Sequence, residues 1–349
     1  MVKRIRSKGW AGLLSRNLQA ASRIAFGVGR QAARKIAKRA GAHAVARRAS
    51  PRTKGDWIAG MAITATGARR YHLYRPPGVV SGERLPLLVM LHGCSQDAGS
   101  FAKSTRMNSV AARERFLVLY PEQDRLANGQ RCWNWFETRS GRARAEAALI
   151  LAAVDQICLS YQGDRERVAI AGLSAGASMA ALVVLRHPER FKALAMHSGV
   201  APGRASSSAG AISAMQGRRS LVARPMVAAG AASLPPLLVI QGALDRVVAP
   251  ANARAAAVAW VSAGAADGAP VKESAERRVQ RGQRHTMRVV DFKRRGAIVA
   301  SLVEIERLGH AWSGGAAGEP FSDAGGPDVS RLVWAFASKQ FEAATKSAR

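Results

Sequence analysis

The sequence predicts an α/β fold: a mostly parallel central sheet with helices on both faces. Three observations predict it. Apolar runs of strand length recur at 87–91, 116–120, 168–171, 193–196 and 237–240. They are continuous rather than alternating, which is the pattern of strands buried on both faces. Helical patterns lie between most of them, the clearest at 143–160 and at 175–187, where Pro188 ends the second. Strand and helix taking turns in this way argues for parallel neighbours joined by crossover helices.

At 349 residues and 48% hydrophobic content the chain has ample material for a core. Its charge is unevenly spread. Lys and Arg number 53 against 23 Asp and Glu, and residues 1–55 hold fifteen of the basic residues and no acidic one. The break at Ser50, Pro51 and Gly55 therefore divides a basic N-terminal extension, 1–55, from a catalytic domain over 56–349. Within the extension Trp10, Leu13, Leu14, Leu18, Ala21, Ala25 and Val28 recur at three-to-four spacing, with Arg16, Arg23 and Arg30 on another face. This reads as a basic amphipathic helix. It is compatible with a solvated tail or with an interfacial anchor onto a lipid or polymer surface. No recognised nucleic-acid-binding motif accompanies the charge, so no specific nucleic-acid partner is expected. Arg16 and Arg23 interrupt every apolar run, leaving no signal-peptide core and no membrane span. The expected location is cytoplasmic, with granule association as a further expectation.

Two other segments stand out. Residues 201–233 are rich in Ala, Ser and Gly and read as a loop-rich excursion or lid. Residues 277–295 contain eight Lys or Arg and one Asp, which reads as a solvated face or as a second contact with an anionic surface. The stretch 298–305 that follows forms a strand pair with it through a turn at 294–296.

The chemistry is carried by Gly172-Leu173-Ser174-Ala175-Gly176, directly after one apolar run and directly before a helix. A nucleophile elbow of the α/β-hydrolase type needs this strand–turn–helix setting, with small residues two before and two after the serine. Ser174 is thus the candidate nucleophile. Chain order in such a fold is serine, acid, histidine, which among seven histidines leaves His197, His285 and His310. His197 precedes any suitable acid and reads as a core or cleft histidine. His285 lies in the basic run, where neighbouring cations depress its basicity. His310, in a loop after a strand, is the candidate base. Asp245 follows the run 237–240 by a short loop and is the candidate acid, placed to orient His310. Asp267 and Asp291 sit in loop-like or basic surroundings.

An acyl-transfer site also needs oxyanion donors. The Ala175 N–H at the helix start is one, and the Cys94 N–H, in the loop Gly93-Cys94-Ser95-Gln96 after the first apolar run, is the other. The chain has three cysteines, Cys94, Cys132 and Cys158. Either Cys94 pairs with Cys132 and braces the oxyanion loop against Trp133-Asn134-Trp135-Phe136, or both are the reduced thiols that the cytoplasm favours. Cys158, in a helix, reads as a small buried hydrophobe. The expected chemistry calls for no cofactor and no metal.

Together these motifs resemble the poly(3-hydroxybutyrate) depolymerase-like esterases, related to feruloyl and acetylxylan esterases. The matching pieces are LHGCSQD at 91–97, CWNWF at 132–136, GLSAG at 172–176, the Asp245 loop, GHAWSGG at 309–315 and FSDAGGPD at 321–328. The resemblance covers about 56–340. It implies hydrolysis of ester bonds through an acyl-enzyme, with Trp133, Trp135 and Trp312 at positions that hold the acyl or polymer chain; core packing is the alternative for each ring. Ala177 stands where the family usually has a second glycine, and no appended polymer-binding domain is visible. The expected substrate is poly- or oligo(3-hydroxybutyrate). The competing expectations are a carboxylesterase for small acyl, acetyl or feruloyl esters, and a granule- or membrane-docking protein whose esterase domain is not essential. Contact with a polymer granule or anionic surface is expected of residues 1–50.

Overall fold

The computed structural model describes residues 55–218, 234–264 and 268–347. The expected basic helix lies outside these residues. The five apolar runs become β3 (Leu85–Leu91), β4 (Leu117–Pro121), β5 (Gly163–Leu173), β6 (Ala193–His197) and β7 (Leu237–Gly242). They lie side by side in the order β4-β3-β5-β6-β7, all parallel. At one edge the hairpin β1 (Asp56–Thr64) and β2 (Gly67–Arg75) pairs antiparallel with β4. At the other, β11 (Ala297–Ile305) runs parallel to β7, and β10 (Met287–Arg294) returns antiparallel through Arg295 and Gly296. The short β8 (Val271–Glu273) and β9 (Arg277–Val279) both pair with β10.

Side chains that alternate across the central strands feed two cores. Leu87, Val89 and Leu91 point into one and Leu88 and Met90 into the other. The first is closed by α3 (Arg142–Ser160), α4 (Ala175–Arg186) and α6 (Ala251–Ala263). Over the second lie α1 (Ala98–Thr105), α2 (Met107–Glu114) and α7 (Val329–Ser347). Each such leucine contributes about 1.5–3 kcal/mol by leaving water. Helix α4 has no exposed stripe: every residue from Ala175 to Leu185 is buried. Its run of Ala, Gly and Ser lets it lie close against β5 and β3.

The excursion after β6 contains one short helix, α5 (Ser208–Met215), capped by the Ser207 hydroxyl, which accepts from the Gly210 N–H. Its end is tied to the loop after β7 through Ala249 N–H donating to Met215 O at 2.7 Å. Of the loop-rich excursion or lid expected over 201–233, residues 219–233 lie outside the described residues. In the basic stretch 277–295 three of the cations meet carboxylates. Arg277 meets Asp291 at 2.5 Å, Arg278 meets Glu306 at 2.9 Å, and Arg288 meets Glu304. Such exposed pairs add little stability, but they cancel charge that the sequence reading left free.

Cys94, just past β3, is joined to Cys132, which resolves the choice that the sequence left open. Closing a loop of 38 residues removes unfolded-state entropy worth about 4 kcal/mol. Cys158 is free and half-buried, and burial pushes its thiol up.

Two histidines close central strands from inside the fold. His92 follows β3; its Nδ1–H donates to Gly93 O at 2.8 Å and its Nε2 accepts the Gln123 N–H at 3.0 Å. Burial lowers it from 6.5 to about 4. His197, at the end of β6, is lowered to about 3 by burial and then by His310. Both folded values lie below the unfolded one, so the stability they contribute is full above pH 6.5 and is lost as pH falls toward them. Denaturant melts between pH 7 and 5, above the carboxylate range, should show stability falling with pH by up to about 1.4 kcal/mol per unit for each histidine. In His197→Phe that slope should lose one proton's worth, and an unchanged slope would contradict the assignment.

Candidate active site

The elbow is built by backbone crowding. Ser174 has φ 56° and ψ −120°, a strained conformation for a residue with a Cβ. A Cβ on Gly172 would overlap the Gly176 backbone, and one on Gly176 would overlap the carbonyls of Leu91 and His92. Both glycines are therefore demanded by the packing of the turn onto the end of β3. The strained serine is held from behind: its N–H donates to His197 O at 2.8 Å. The Ser178 hydroxyl donates to Ser174 O at 3.3 Å and accepts the Val200 N–H at 2.9 Å.

Two strands away, Asp245 is enclosed and fully engaged. Its Oδ1 accepts the N–H groups of Val247 and Val248, each at 2.9 Å. Its Oδ2 accepts Gln241 Nε2–H at 3.0 Å and His310 Nδ1–H at 2.8 Å. Burial alone would raise this carboxyl. The hydrogen bond and charge of His310, with the two backbone amides, outweigh it and hold the group below the usual carboxylate range. An ionised Asp245 fixes the proton of His310 on Nδ1 and leaves Nε2 free to accept. The loops that carry this pair are stitched together by Ala243 N–H to Ile305 O and Leu244 N–H to Leu308 O, both 2.9 Å. Gly242 allows the crossing, because a Cβ there would overlap the Leu308 carbonyl.

The loop after β3 is ordered from several sides. Gln96 Oε1 accepts the Gly93 N–H at 3.0 Å, and the Ser95 N–H donates to Gln130 O at 2.7 Å. The disulfide holds Cys94 itself. Among the described residues neither the Cys94 nor the Ala175 N–H has a backbone acceptor, so both are available to a developing oxyanion. The structure thus places all five predicted residues past the C-terminal ends of β3, β5, β7 and β11. It joins Asp245 to His310 directly; no hydrogen bond links Ser174 Oγ to His310. Such contacts are often open in a free enzyme and tighten with substrate. No cluster of metal ligands occurs among the described residues.

The three tryptophans correct an expectation. Trp133, Trp135 and Trp312 are 0%, 5% and 1% exposed, so none offers a face to a substrate chain. Trp133 Nε1–H donates to His92 O at 3.1 Å, and Trp312 Nε1–H donates to Ser330 Oγ at 3.0 Å. Trp135 meets Phe136 edge-on. These rings pack and position the site's loops. The sequence reading also missed Glu146, a buried carboxylate in α3. It accepts Gln123 Nε2–H at 2.7 Å, the Asn134 N–H at 2.9 Å and Asn134 Nδ2–H at 2.6 Å, anchoring the segment that carries Cys132. A lone acid on the otherwise apolar stripe Ala143, Ala147, Ile150 was the available signal.

Against known proteins, residues 69–280 match the model of the family described as Esterase PHB depolymerase. Poly(3-hydroxyalkanoate) depolymerase C of Paucimonas lemoignei is 35% identical over 115 residues, 33% of this chain and 28% of that protein. Feruloyl esterase B of Neurospora crassa is 34% identical over 117 residues, 33% of this chain and 39% of that protein. The matches therefore span well under half of these relatives. Among solved structures, the acetyl xylan esterase from Aspergillus awamori superposes with a TM-score of 0.56 at 18% identity, over 73% of this chain and 94% of that one. That likeness shows the shared α/β-hydrolase fold. With the family model covering more than half of its length, the chain belongs to the PHB depolymerase esterase family.

Proposed function

We propose that the protein is a serine esterase that hydrolyses ester bonds of poly- or oligo(3-hydroxybutyrate) through an acyl-enzyme. The observation that carries this reading is the Asp245–His310 hydrogen bond of 2.8 Å at the sheet edge where the Ser174 elbow also stands. Ser174 Oγ attacks the ester carbonyl while His310 Nε2 takes its proton. The resulting oxyanion accepts from the Cys94 and Ala175 amides. As the tetrahedral intermediate collapses, the C–O bond to the alcohol breaks and His310 returns the proton to the leaving oxygen. Water, deprotonated by His310, then attacks the acyl-Ser174 ester; the free acid leaves and the serine regains its proton. Asp245 stays ionised throughout and stabilises the imidazolium.

The polyester assignment draws on family membership and on the depolymerase among the relatives. A second reading, hydrolysis of small acyl, acetyl or feruloyl esters, is favoured by the relatives named feruloyl esterase and acetylxylan esterase. For the granule contact the support is the charge and amphipathic spacing of residues 1–50.

Ser174→Ala should lower kcat on a p-nitrophenyl ester by at least about 10⁴-fold and abolish labelling by a fluorophosphonate. Asp245→Asn should cost about 10⁴-fold in kcat with KM little changed. Retained turnover in the serine variant would reject the mechanism. On a panel of amorphous poly(3-hydroxybutyrate), hydroxybutyrate oligomers and acetyl, feruloyl and p-nitrophenyl esters, polymer or oligomer should be cleaved. Turnover confined to the small esters would assign the second reading instead. Removing residues 1–50 should weaken binding to polymer granules or anionic vesicles and leave small-ester turnover intact; undiminished binding would refute the surface contact.

A further inference from the structure

Strand β6 ends in a buried residue that the proposed chemistry leaves unused. His197 stands between the strand leading to Ser174 and the strand leading to Asp245. Its carbonyl holds the Ser174 N–H at 2.8 Å. Its ring faces the Trp312 ring, centroids 5.3 Å apart and planes at 30°. Trp312 lies two residues past His310 and is wedged in turn edge-on to Phe101 at 5.6 Å. One residue thus touches both the backbone of the nucleophile and the loop of the base. No direct bond from Ser174 Oγ to His310 does that job.

Hydrogen bonding does not account for the His197 side chain. Its Nδ1 lies 3.1 Å from Ser198 Oγ, while its Nε2 is buried with no partner, which is an unfavourable arrangement. Its flat ring against the indole does account for it, since aromatic pairs at this separation attract beyond simple burial. Burial, then the charge of His310, keeps the imidazole uncharged, so it does not compete with His310 for Asp245.

We propose that His197 is a positioning residue: its ring seats Trp312 and so holds the His310 loop in register with Ser174. The inference rests on the serine esterase reading above. The test is steady-state kinetics of His197→Ala and His197→Phe on a p-nitrophenyl ester, beside Ser174→Ala, with folding followed by thermal melting. Displacing a catalytic group by an ångström costs about 10²-fold, so His197→Ala should lower kcat by roughly 10- to 100-fold and leave KM within about threefold. His197→Phe, which keeps a flat ring, should return kcat to within about threefold of the parent. Wild-type kcat in the alanine variant, or no recovery in the phenylalanine variant, overturns the inference. Should the alanine variant not fold, His197→Leu fills the space without a flat ring, and equal rates for Leu and Phe overturn it as well. Turnover surviving in Ser174→Ala would instead bring down the esterase reading; an inactive Ser174→Ala with a fully active His197→Ala removes only the role of His197.

Discussion

The fold turns on one close approach of backbone to backbone. The elbow at Gly172-Leu173-Ser174-Ala175-Gly176 lies so tightly on the end of β3 that neither flanking glycine can carry a Cβ. That contact brings the N-terminus of α4 against the loop that begins at His92, and so places the two candidate oxyanion amides side by side. It also forces Ser174 into a conformation with positive φ, which the hydrogen bond to His197 O and the buried length of α4 sustain. The strain is local, and the two cores around the sheet supply the rigidity that holds it.

A second layer of support comes from groups that do no chemistry. Glu146 illustrates the principle that a buried carboxylate must be satisfied on all sides. By accepting from both the backbone and the side chain of Asn134, it gives an irregular loop the definition of a strand. The same loop carries Cys132, and through the disulfide its order is passed to Cys94. Nearby, Arg69 lies 4.0 Å from Glu146 and over the Trp133 ring at 6.0 Å, so the charge of the carboxylate is answered within the interior.

Much of this was legible in the sequence, for definite reasons. The five central strands are buried on both faces, so they read as uninterrupted apolar runs, and the parallel order of the sheet followed from the helices between them. The elbow was legible because its glycines are a steric requirement. Asp245 and His310 were legible because each follows a strand, and a shared sheet edge is a topological fact. The leading part of β5 was not, because Asp164 to Arg167 are polar and lie in the irregularity between the paired Gly163 and Val168. The hairpin of β1 and β2 was missed for the same reason: Arg69 and Arg70 break any apolar pattern. The tryptophans were misread because a motif position conveys proximity to a site and says nothing of which way a ring faces.

The register of the sheet has one more implication. Leu91 of β3 and Gly172 of β5 are direct partners in adjacent parallel strands, and the Cys94 and Ala175 amides each stand three residues beyond that pair. The two strands that lead to these amides are therefore held at the hydrogen-bond spacing of neighbouring strands, about 4.8 Å, up to the point where the loop and the elbow leave the sheet. The sheet thus sets the starting separation of the two candidate donors, and the disulfide and the elbow glycines set the rest.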